Sequence, residues 1–501
     1  MAAGVAVRLK ELLIGLASVT EHGDKAITGM SLDSRSIVCG DAFIALPGAK
    51  QHGLEHVTQA IDKGAAAVIF DPAENGQQII NELVANSSLS VPMIAVENLG
   101  FALGELAARY YAEPSKFMTI IGITGTNGKT SCSQFLGQIL DDCGIIGTLG
   151  WGEWGNLTKT QNTTPDALAI QKILAELLKN KKRTIAMEVS SHGLEQGRVN
   201  GVNFKGAVFT NISRDHLDYH GTMDAYLKAK LALLVKPDLT FAVVNLDDTY
   251  SEQIIAAVPK SVKIWQFSAK DKISDLGECV NASNILHKMD GIEFDLSWRN
   301  QLQRVSVPIY GDFNVENVLT VLTVMLALDI SLTESVARLG NIKPVDGRME
   351  RFGSESDPLV FVDYAHTPDA LDKVLCSLRK HCTQSLWVVF GCGGNRDMGK
   401  RPQMGKIAEQ WADHVVITDD NPRYENGLTI VNDILAGCHS EKVEVIQDRE
   451  RAIQKVVANA AKNDCIVIAG KGHELYQESN GICKPFSDKK VVMEALQRRN
   501  A

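Results

Sequence analysis

The run Gly122-Ile-Thr-Gly125-Thr-Asn-Gly128-Lys129-Thr130 closes an apolar stretch that begins at Met118 and opens a helical pattern from Ser131 to Leu140. Strand, glycine-rich turn and helix in that order make a phosphate cradle. Glycines let backbone N–H groups curl around an anion, and the helix N-terminus favours its charge. Lys129 can reach the β- and γ-oxygens of a nucleoside triphosphate, and Thr130 can hold Mg²⁺. The spacing departs from a strict GxxxxGK[ST] loop, because Ile123 stands where the first glycine should be. Gly125, Thr126, Asn127, Gly128, Lys129, Thr130 and Ser131 are therefore the expected ATP contacts.

Outward from this loop, strand and helix signals alternate along almost the whole chain. Before it, Ala65 to Phe70 and Pro92 to Val96 read as strands, His56 to Lys63 and Leu99 to Tyr111 as helices. Ala112-Glu-Pro-Ser115 stops the last of these and marks a domain boundary. After it come the strands Thr184 to Val189, Ala207 to Phe209 and Phe241 to Asn245. From about Val262 to Ile309 short alternating runs predict an antiparallel extension on a mainly parallel sheet. A second boundary falls near Gly340-Asn-Ile-Lys-Pro344, beyond which strands at Leu359, Ser385, His414, Val443 and Cys465 alternate with helices. The expected fold is α/β in three domains: 1–112, 113–342 built on a P-loop ATPase-type sheet, and a Rossmann-like 343–501.

The 501 residues carry 51 Lys plus Arg against 60 Asp plus Glu, a net charge of −9, which argues against nucleic acid as the main partner. No apolar run reaches the roughly 18 residues that span a bilayer. Lys10-Glu11 before Leu12 to Leu16 reads as a short amphipathic helix, not a secretory signal. Ten scattered cysteines without a CxxC pair suit reduced thiols in a cytoplasmic protein.

Further polar runs sit after strands. Glu188-Val-Ser190-Ser-His192-Gly follows one, and a strand-end carboxylate beside a phosphate loop is well placed for Mg²⁺. Asn211-Ile-Ser-Arg-Asp215-His216 is a candidate helix start with Asp215 as N-cap. In Ala225-Tyr-Leu-Lys228-Ala-Lys230-Leu both lysines read as solvated helix charges, pointing about 200° apart. Gly391-Cys-Gly-Gly-Asn-Arg396-Asp397, Asp420-Asn421-Pro422-Arg423 and Gly470-Lys-Gly-His-Glu474 each follow a strand of the third domain, where open α/β sheets bind ligands. The first is no dinucleotide fingerprint, since Arg396 occupies a glycine position.

GTNGKT, with these later motifs in order, resembles the Mur ligases and the folylpolyglutamate synthetases, which join an amine to a carboxylate. The resemblance to the Mur ligases runs nearly the full length. It implies an ATP-dependent amide ligase that adds meso-2,6-diaminopimelate to the D-Glu carboxylate of UDP-N-acetylmuramoyl-L-Ala-D-Glu through an acyl phosphate, in peptidoglycan precursor synthesis. Its small-molecule partners would be that nucleotide-linked dipeptide, diaminopimelate and ATP, with neither nucleic acid nor membrane span, and a monomer is expected. Glu188 and His216 would then ligate Mg²⁺ with Thr130 and with Lys230 carried as a carbamate; Lys129, Glu188, His216 and Lys230 form the catalytic set. Asn314 of Gly311-Asp-Phe-Asn314, Arg348 of Gly347-Arg348-Met-Glu350, and Asp363 and His366 of Asp363-Tyr-Ala-His366 would complete the ATP site. Read alone, Asn314 and Asn317 fit turn and cap residues, Arg348 a surface ion pair and Asp363 a loop acid equally well.

Leu32, Ser34, Ala49, Lys50 and Gln51, with Asn162, Thr163, Thr164, Ser190, Gln196 and Arg198, match positions touching the uridine-linked substrate. A capped turn explains Ser31-Leu-Asp-Ser-Arg35 as well. Asp420, Asn421, Pro422 and Arg423, with Arg396, Gly470 and Glu474, resemble the diaminopimelate site. Arginine there can grip the extra carboxylate that distinguishes diaminopimelate from lysine, although Asp-Asn-Pro is also ordinary turn chemistry. The competing expectations are a lysine-adding sister ligase, a folylpolyglutamate synthetase-like ligase, or a P-loop switch protein. No general base for the incoming amine is evident.

Overall fold

The computed structural model describes residues 6–48, 51–86, 90–288, 291–354, 356–439 and 443–499. The chain divides into two compact units. One comprises Met1–Gly122, Leu140–Ala207 and Ala229–Thr240; the other comprises Ile123–Ile139, Val208–Lys228 and Phe241–Ala501.

In the first unit the strands Gly29–Ser31, Asp41–Ala45, Ala67–Phe70 and Met93–Ala95 lie side by side, every neighbouring pair parallel. Side chains alternate across a strand, so one sheet feeds two cores. Ala42 and Ile44 join Leu9, Leu12, Leu99, Leu103 and Leu106 on one face. Phe43 and Ala45 join Val57, Ala60 and Ile80 on the other. That double burial explains why the strands read as unbroken apolar runs. The expected helix from His56 begins as a 3-10 turn, Gly53–His56, capped by His52, and becomes α-helical over Val57–Asp62. The same unit holds the parallel pair Cys143–Gly147 and Thr184–Glu188 and the antiparallel strands Gly150–Glu153 and Asn156–Thr158.

The second unit holds the phosphate loop and the helix Lys129–Ile139. Its strands Phe241–Asn245, Lys263–Ser268 and Glu278–Lys288 are parallel neighbours, and Gly291–Trp298 and Gln301–Val307 add on antiparallel. The predicted antiparallel extension is present. Glu293 and Asp295 face Arg304 on the adjoining strand, while Ile292, Phe294 and Leu296 turn into the core.

A six-stranded sheet completes this unit in the order Glu350–Phe352, Leu359–Asp363, Cys465–Ala469, Leu386–Phe390, His414–Ile417, Val443–Val445. Only the first pair is antiparallel. Here too alternation splits the strands: Phe361, Val388, Phe390 and Val467 face one core, Val360, Val362, Val389 and Ile466 the other. Helices cover both faces, as the Rossmann-like expectation requires. All ten cysteines are free thiols. Among the described residues no helix is long and apolar enough to cross a membrane.

Arg449 and Asp488 are both fully buried at the C-terminal end of this sheet. Arg449 Nε donates to Asp488 Oδ1 at 2.7 Å, and Nη2 donates to Oδ2 and to the Ala469 carbonyl, each at 2.8 Å. Removing one member of such a pair strands a buried charge, at a cost of about 3–5 kcal/mol. D488A is expected to melt about 10 °C below the parent in a circular-dichroism scan. An unchanged midpoint would mean that water reaches the guanidinium.

Candidate active site

The phosphate loop is held by side chains that follow in sequence at a distance. Thr210 Oγ1 donates to the Asn127 carbonyl at 2.6 Å, and Asn211 Oδ1 accepts from Asn127 N at 3.0 Å. Thr126 Oγ1 donates to the Ser213 carbonyl and lies 3.1 Å from the Tyr226 hydroxyl. Two glycines are obligatory. Gly125 has φ +146 and a Cβ there would lie 1.9 Å from Thr210 Oγ1; Gly128 has φ +85 and would meet Asn317 Oδ1 at 2.4 Å. Lys129 Nζ donates to the Gly125 and Thr126 carbonyls at 2.8 and 2.9 Å, so its charge sits at the loop. Thr130 and Ser131 are buried in the first turn of the helix, which starts at Lys129, two residues earlier than expected.

Ser131, Phe135, Ile309, Tyr310, Asn314, Pro344, Val345, Arg348 and Met349 line one cavity beside this helix. Asn314 is buried there: its Nδ2 donates to the Tyr310 carbonyl at 2.7 Å, and its Oδ1 accepts from Asn317 Nδ2 at 2.8 Å. The Arg348 guanidinium lies 4.6 Å from the centre of the Tyr364 ring, with Nε buried and unmatched by any hydrogen bond. Asp363 is a brace for that arginine loop. Its two oxygens accept from Met349 N and Ala365 N at 2.8 Å each, and burial raises its pKa against the lowering pull of Arg348. His366 is exposed, with Nδ1 2.9 Å from the Tyr364 carbonyl.

His216 occupies the N-cap of the helix Leu217–His220 in a left-handed conformation, φ +53. This corrects the expectation that Asp215 is the N-cap. Asp215 Oδ1 instead accepts from His216 N at 2.9 Å, and Asp215 Oδ2 lies 3.5 Å from His216 Nε2. An Asp with its carboxylate turned onto the next residue cannot reach the second or third amide of the helix.

In the first unit Glu188 ends its strand with 0% exposure. Thr148 donates to both of its oxygens, N to Oε1 at 3.0 Å and Oγ1 to Oε2 at 2.9 Å. Predicted residues are strung along one network from there. Thr163 Oγ1 lies 3.0 Å from the Thr148 hydroxyl. Thr164 Oγ1 donates to the Glu188 carbonyl and accepts from Ser190 N, while Ser190 Oγ caps the next helix. Arg198 Nη1 donates to the Thr164 carbonyl at 2.8 Å, and its Nε and Nη2 bind Gln196 Oε1. Asn162 is exposed beside this network. Lys230 is 1% exposed whereas Lys228 is exposed, so the two lysines that sequence left alike differ in burial. Leu32 packs against the N-terminal core, the Ser34 hydroxyl donates to Gln59 Oε1 at 2.7 Å, and exposed Gln51 meets His56 at 2.7 Å. Ala49 and Lys50 lie outside the described residues.

The three C-terminal motifs converge beyond the strand ends of the six-stranded sheet. Asn421 Nδ2 donates to Glu474 Oε2 at 2.8 Å. A Cβ on Gly470, at φ +113, would lie 2.6 Å from Asp420 Oδ2. Pro422 is buried against Gly394. Arg423 has φ +54; its Nη1 donates to the Gly394 carbonyl at 2.8 Å, and its Nε lies 3.5 Å from Glu478 Oε2. A Cβ on Gly393 would touch Arg423 Nη1 at 2.8 Å and Arg396 Cγ at 3.9 Å, so both arginines border one glycine. A hairpin, Tyr476–Ser479 with Ile482–Pro485, fixes the backbone of Arg423: its N donates to the Glu478 carbonyl at 3.1 Å and its carbonyl accepts from Asn480 N.

Sequence reasoning passed over Lys471. It is fully buried, with Nζ donating to Asn421 Oδ1 at 2.9 Å and to Glu474 Oε2 at 2.7 Å, so it aims both substrate candidates. Its place between glycines after a buried strand was the available signal. Thr148 offered none, standing 40 residues from the carboxylate it holds.

The model of the Mur ligase middle domain matches residues 123–325, that of the Mur ligase glutamate ligase domain 347–472, and that of the Mur ligase family catalytic domain 26–111. The chain belongs to the Mur ligase family, and it is an ATP-dependent ligase. It is 44% identical to the UDP-N-acetylmuramoyl-L-alanyl-D-glutamate–2,6-diaminopimelate ligase of Coxiella burnetii over 478 residues, 94% of this chain and 96% of that one. The Pseudomonas aeruginosa ligase of the same name is 45% identical over 478 residues, with the same shares covered. A solved structure of a UDP-N-acetylmuramoyl-L-alanyl-D-glutamate–2,6-diaminopimelate ligase superimposes with a TM-score of 0.71 at 35% identity, covering 99% of this chain and 100% of that one.

Proposed function

We propose that the chain adds meso-2,6-diaminopimelate to the D-Glu carboxylate of UDP-N-acetylmuramoyl-L-Ala-D-Glu, in the cytoplasm and as a monomer. The observation that carries this reading is the convergence of Arg423, Arg396, Asp420, Asn421 and Glu474 at the strand ends of one sheet. Two acids and two arginines suit a side chain ending in both ammonium and carboxylate. Lysine would leave the arginines unmatched, and sites built around a polar group reject its absence strongly. Relatives named for this reaction over nearly their whole length support it. We read three domains, 1–112, 113–342 and 343–501; each family match falls within one of them.

In the reaction a carboxylate oxygen bonds to the γ-phosphorus of ATP and ADP leaves. The amine then bonds to the acyl carbon, phosphate leaves, and the nitrogen gives up a proton. Loop amides and Lys129 hold the phosphates, Arg348 and Asn314 close on the nucleotide, and Thr163, Thr164, Ser190, Gln196 and Arg198 take the uridine-linked dipeptide, with Leu32, Ser34 and Gln51 at its nucleotide end. Among the described residues no three His, Cys, Asp or Glu side chains are grouped as a metal site. Mg²⁺ is commonly held by one or two carboxylates plus substrate phosphates and water. Glu188, Thr130, His216 and Lys230, as a carbamate, would hold it, and it would offset the charge of two anions meeting.

The test is phosphate release with ATP, Mg²⁺ and UDP-N-acetylmuramoyl-L-Ala-D-Glu, comparing meso-diaminopimelate with L-lysine and weighing the product by mass spectrometry. Release with diaminopimelate alone is expected. Release with lysine instead would keep the ligase and overturn its specificity. Release with neither would reopen the folate-type and switch readings.

A further inference from the structure

The helix Pro368–His381 touches the nucleotide region at both ends. In its first turn Asp369 Oδ2 accepts from Asn127 Nδ2 of the phosphate loop at 3.0 Å and from Ser213 Oγ at 3.2 Å. One turn on, Lys373 Nζ pairs with the same oxygen at 3.0 Å. Burial raises the pKa of Asp248 and of Glu316 nearby, and the Lys373 charge pulls both down. Those two acids brace the segment on which the loop rests. Asp248 accepts from Ile212 N at 2.7 Å, and Glu316 accepts from Asn245 Nδ2, which also donates to the Thr210 carbonyl. At the far end Asp312 N donates to Ser377 Oγ at 2.7 Å and Lys380 pairs with Asp312, two residues from cavity-lining Tyr310 and Asn314.

Asn127 is thereby held at three of its polar atoms. Its N and carbonyl are taken by Asn211 and Thr210, and its side-chain amide by Asp369. A carboxylate this near to bound phosphates would repel them if left bare. With Lys373 on its oxygen, Asp369 brings an acceptor to the loop without a net charge. From this geometry, and resting on the ligase reading above, we propose that Asp369 is a positioning residue: it acts through Asn127 to shape the phosphate loop, and Lys373 makes that placement tolerable beside the nucleotide. The loop then takes its nucleotide-binding form only when the Pro368–His381 helix is seated.

The test is binding of a fluorescent ribose-labelled ATP analogue with Mg²⁺, followed by anisotropy without amino acid or nucleotide sugar. D369A is expected to weaken binding about tenfold, the loss typical of one hydrogen bond to a charged group. D369N keeps a carbonyl acceptor for Asn127 and should stay within about threefold, a rescue that a purely structural role would not give. The double variant D369A/N127A should bind no worse than the weaker single variant, because both changes cut one contact. Binding by D369A within twofold of the parent, or independent losses in the double variant, would overturn the proposal. Should D369A melt early, D369S takes its place under the same criteria. If the parent binds nucleotide but ligates nothing, the function proposed above fails while this inference is still decided by the binding series.

Discussion

R423A turns over diaminopimelate about 10²–10³ times less efficiently in kcat/KM, with kcat for phosphate release on saturating substrate falling less than KM rises. The reason lies in what the guanidinium already does. Nη1 is committed to the Gly394 carbonyl and Nε stands near Glu478, while among the described residues no hydrogen bond engages Nη2. A planar fork held on one side presents its remaining edge in a fixed direction, the condition for gripping a carboxylate. The left-handed backbone of Arg423 costs about 1 kcal/mol or more in a non-glycine residue, and the hairpin bonds to Glu478 and Asn480 maintain it. R423G relieves that strain and should be no more active than R423A. If glycine restores activity, the backbone and not the guanidinium sets selectivity. R423K keeps the charge without the fork and is expected between the parent and R423A. Unchanged preference for diaminopimelate over lysine in R423A would remove the basis of the specificity reading.

K230A lowers ligation by about 10³-fold or more, whereas K228A stays within about twofold. The helix Met223–Leu231 exposes Lys228 and buries Lys230. An ordinary ammonium taken out of water is disfavoured unless it is paired. A neutral amine can add CO₂ and become an oxygen ligand suited to Mg²⁺. Activity of the parent should therefore fall when buffers are stripped of CO₂ and return on adding bicarbonate. K230A should show no such response. Turnover by K230A near that of the parent would end the carbamate reading. On that reading Glu188 supplies the companion carboxylate, its two oxygens each accepting from Thr148.

What the sequence disclosed follows from how far apart the interacting residues lie. The phosphate loop was legible because strand, glycines, lysine and helix are contiguous and each has a local reason to be there. The parallel sheets were legible because strands buried on both faces leave unbroken apolar runs such as Ala67–Phe70 and Cys465–Ala469. Asp215 misled because capping depends on where a side chain turns, and here it turned onto His216 N. Lys228 and Lys230 are equivalent to any pattern of charge; only burial separates them. Thr148 beneath Glu188, Lys471 beneath Glu474 and Asp369 beside Asn127 are contacts across 40, 3 and 242 residues. The first and last are invisible to spacing. The middle one is local, and its signal in the sequence is a lysine set between glycines after a buried strand.

The hairpin Tyr476–Ser479/Ile482–Pro485 stands apart from the six-stranded sheet as a two-stranded element, and its second strand is wholly exposed. It nevertheless dictates how Arg423 is presented. Under the function proposed above, the arginine that selects the amine is thus held in place by a peripheral appendage. Substitutions in this appendage would then be expected to shift which amine is accepted at little cost to the stability of the sheets beneath it.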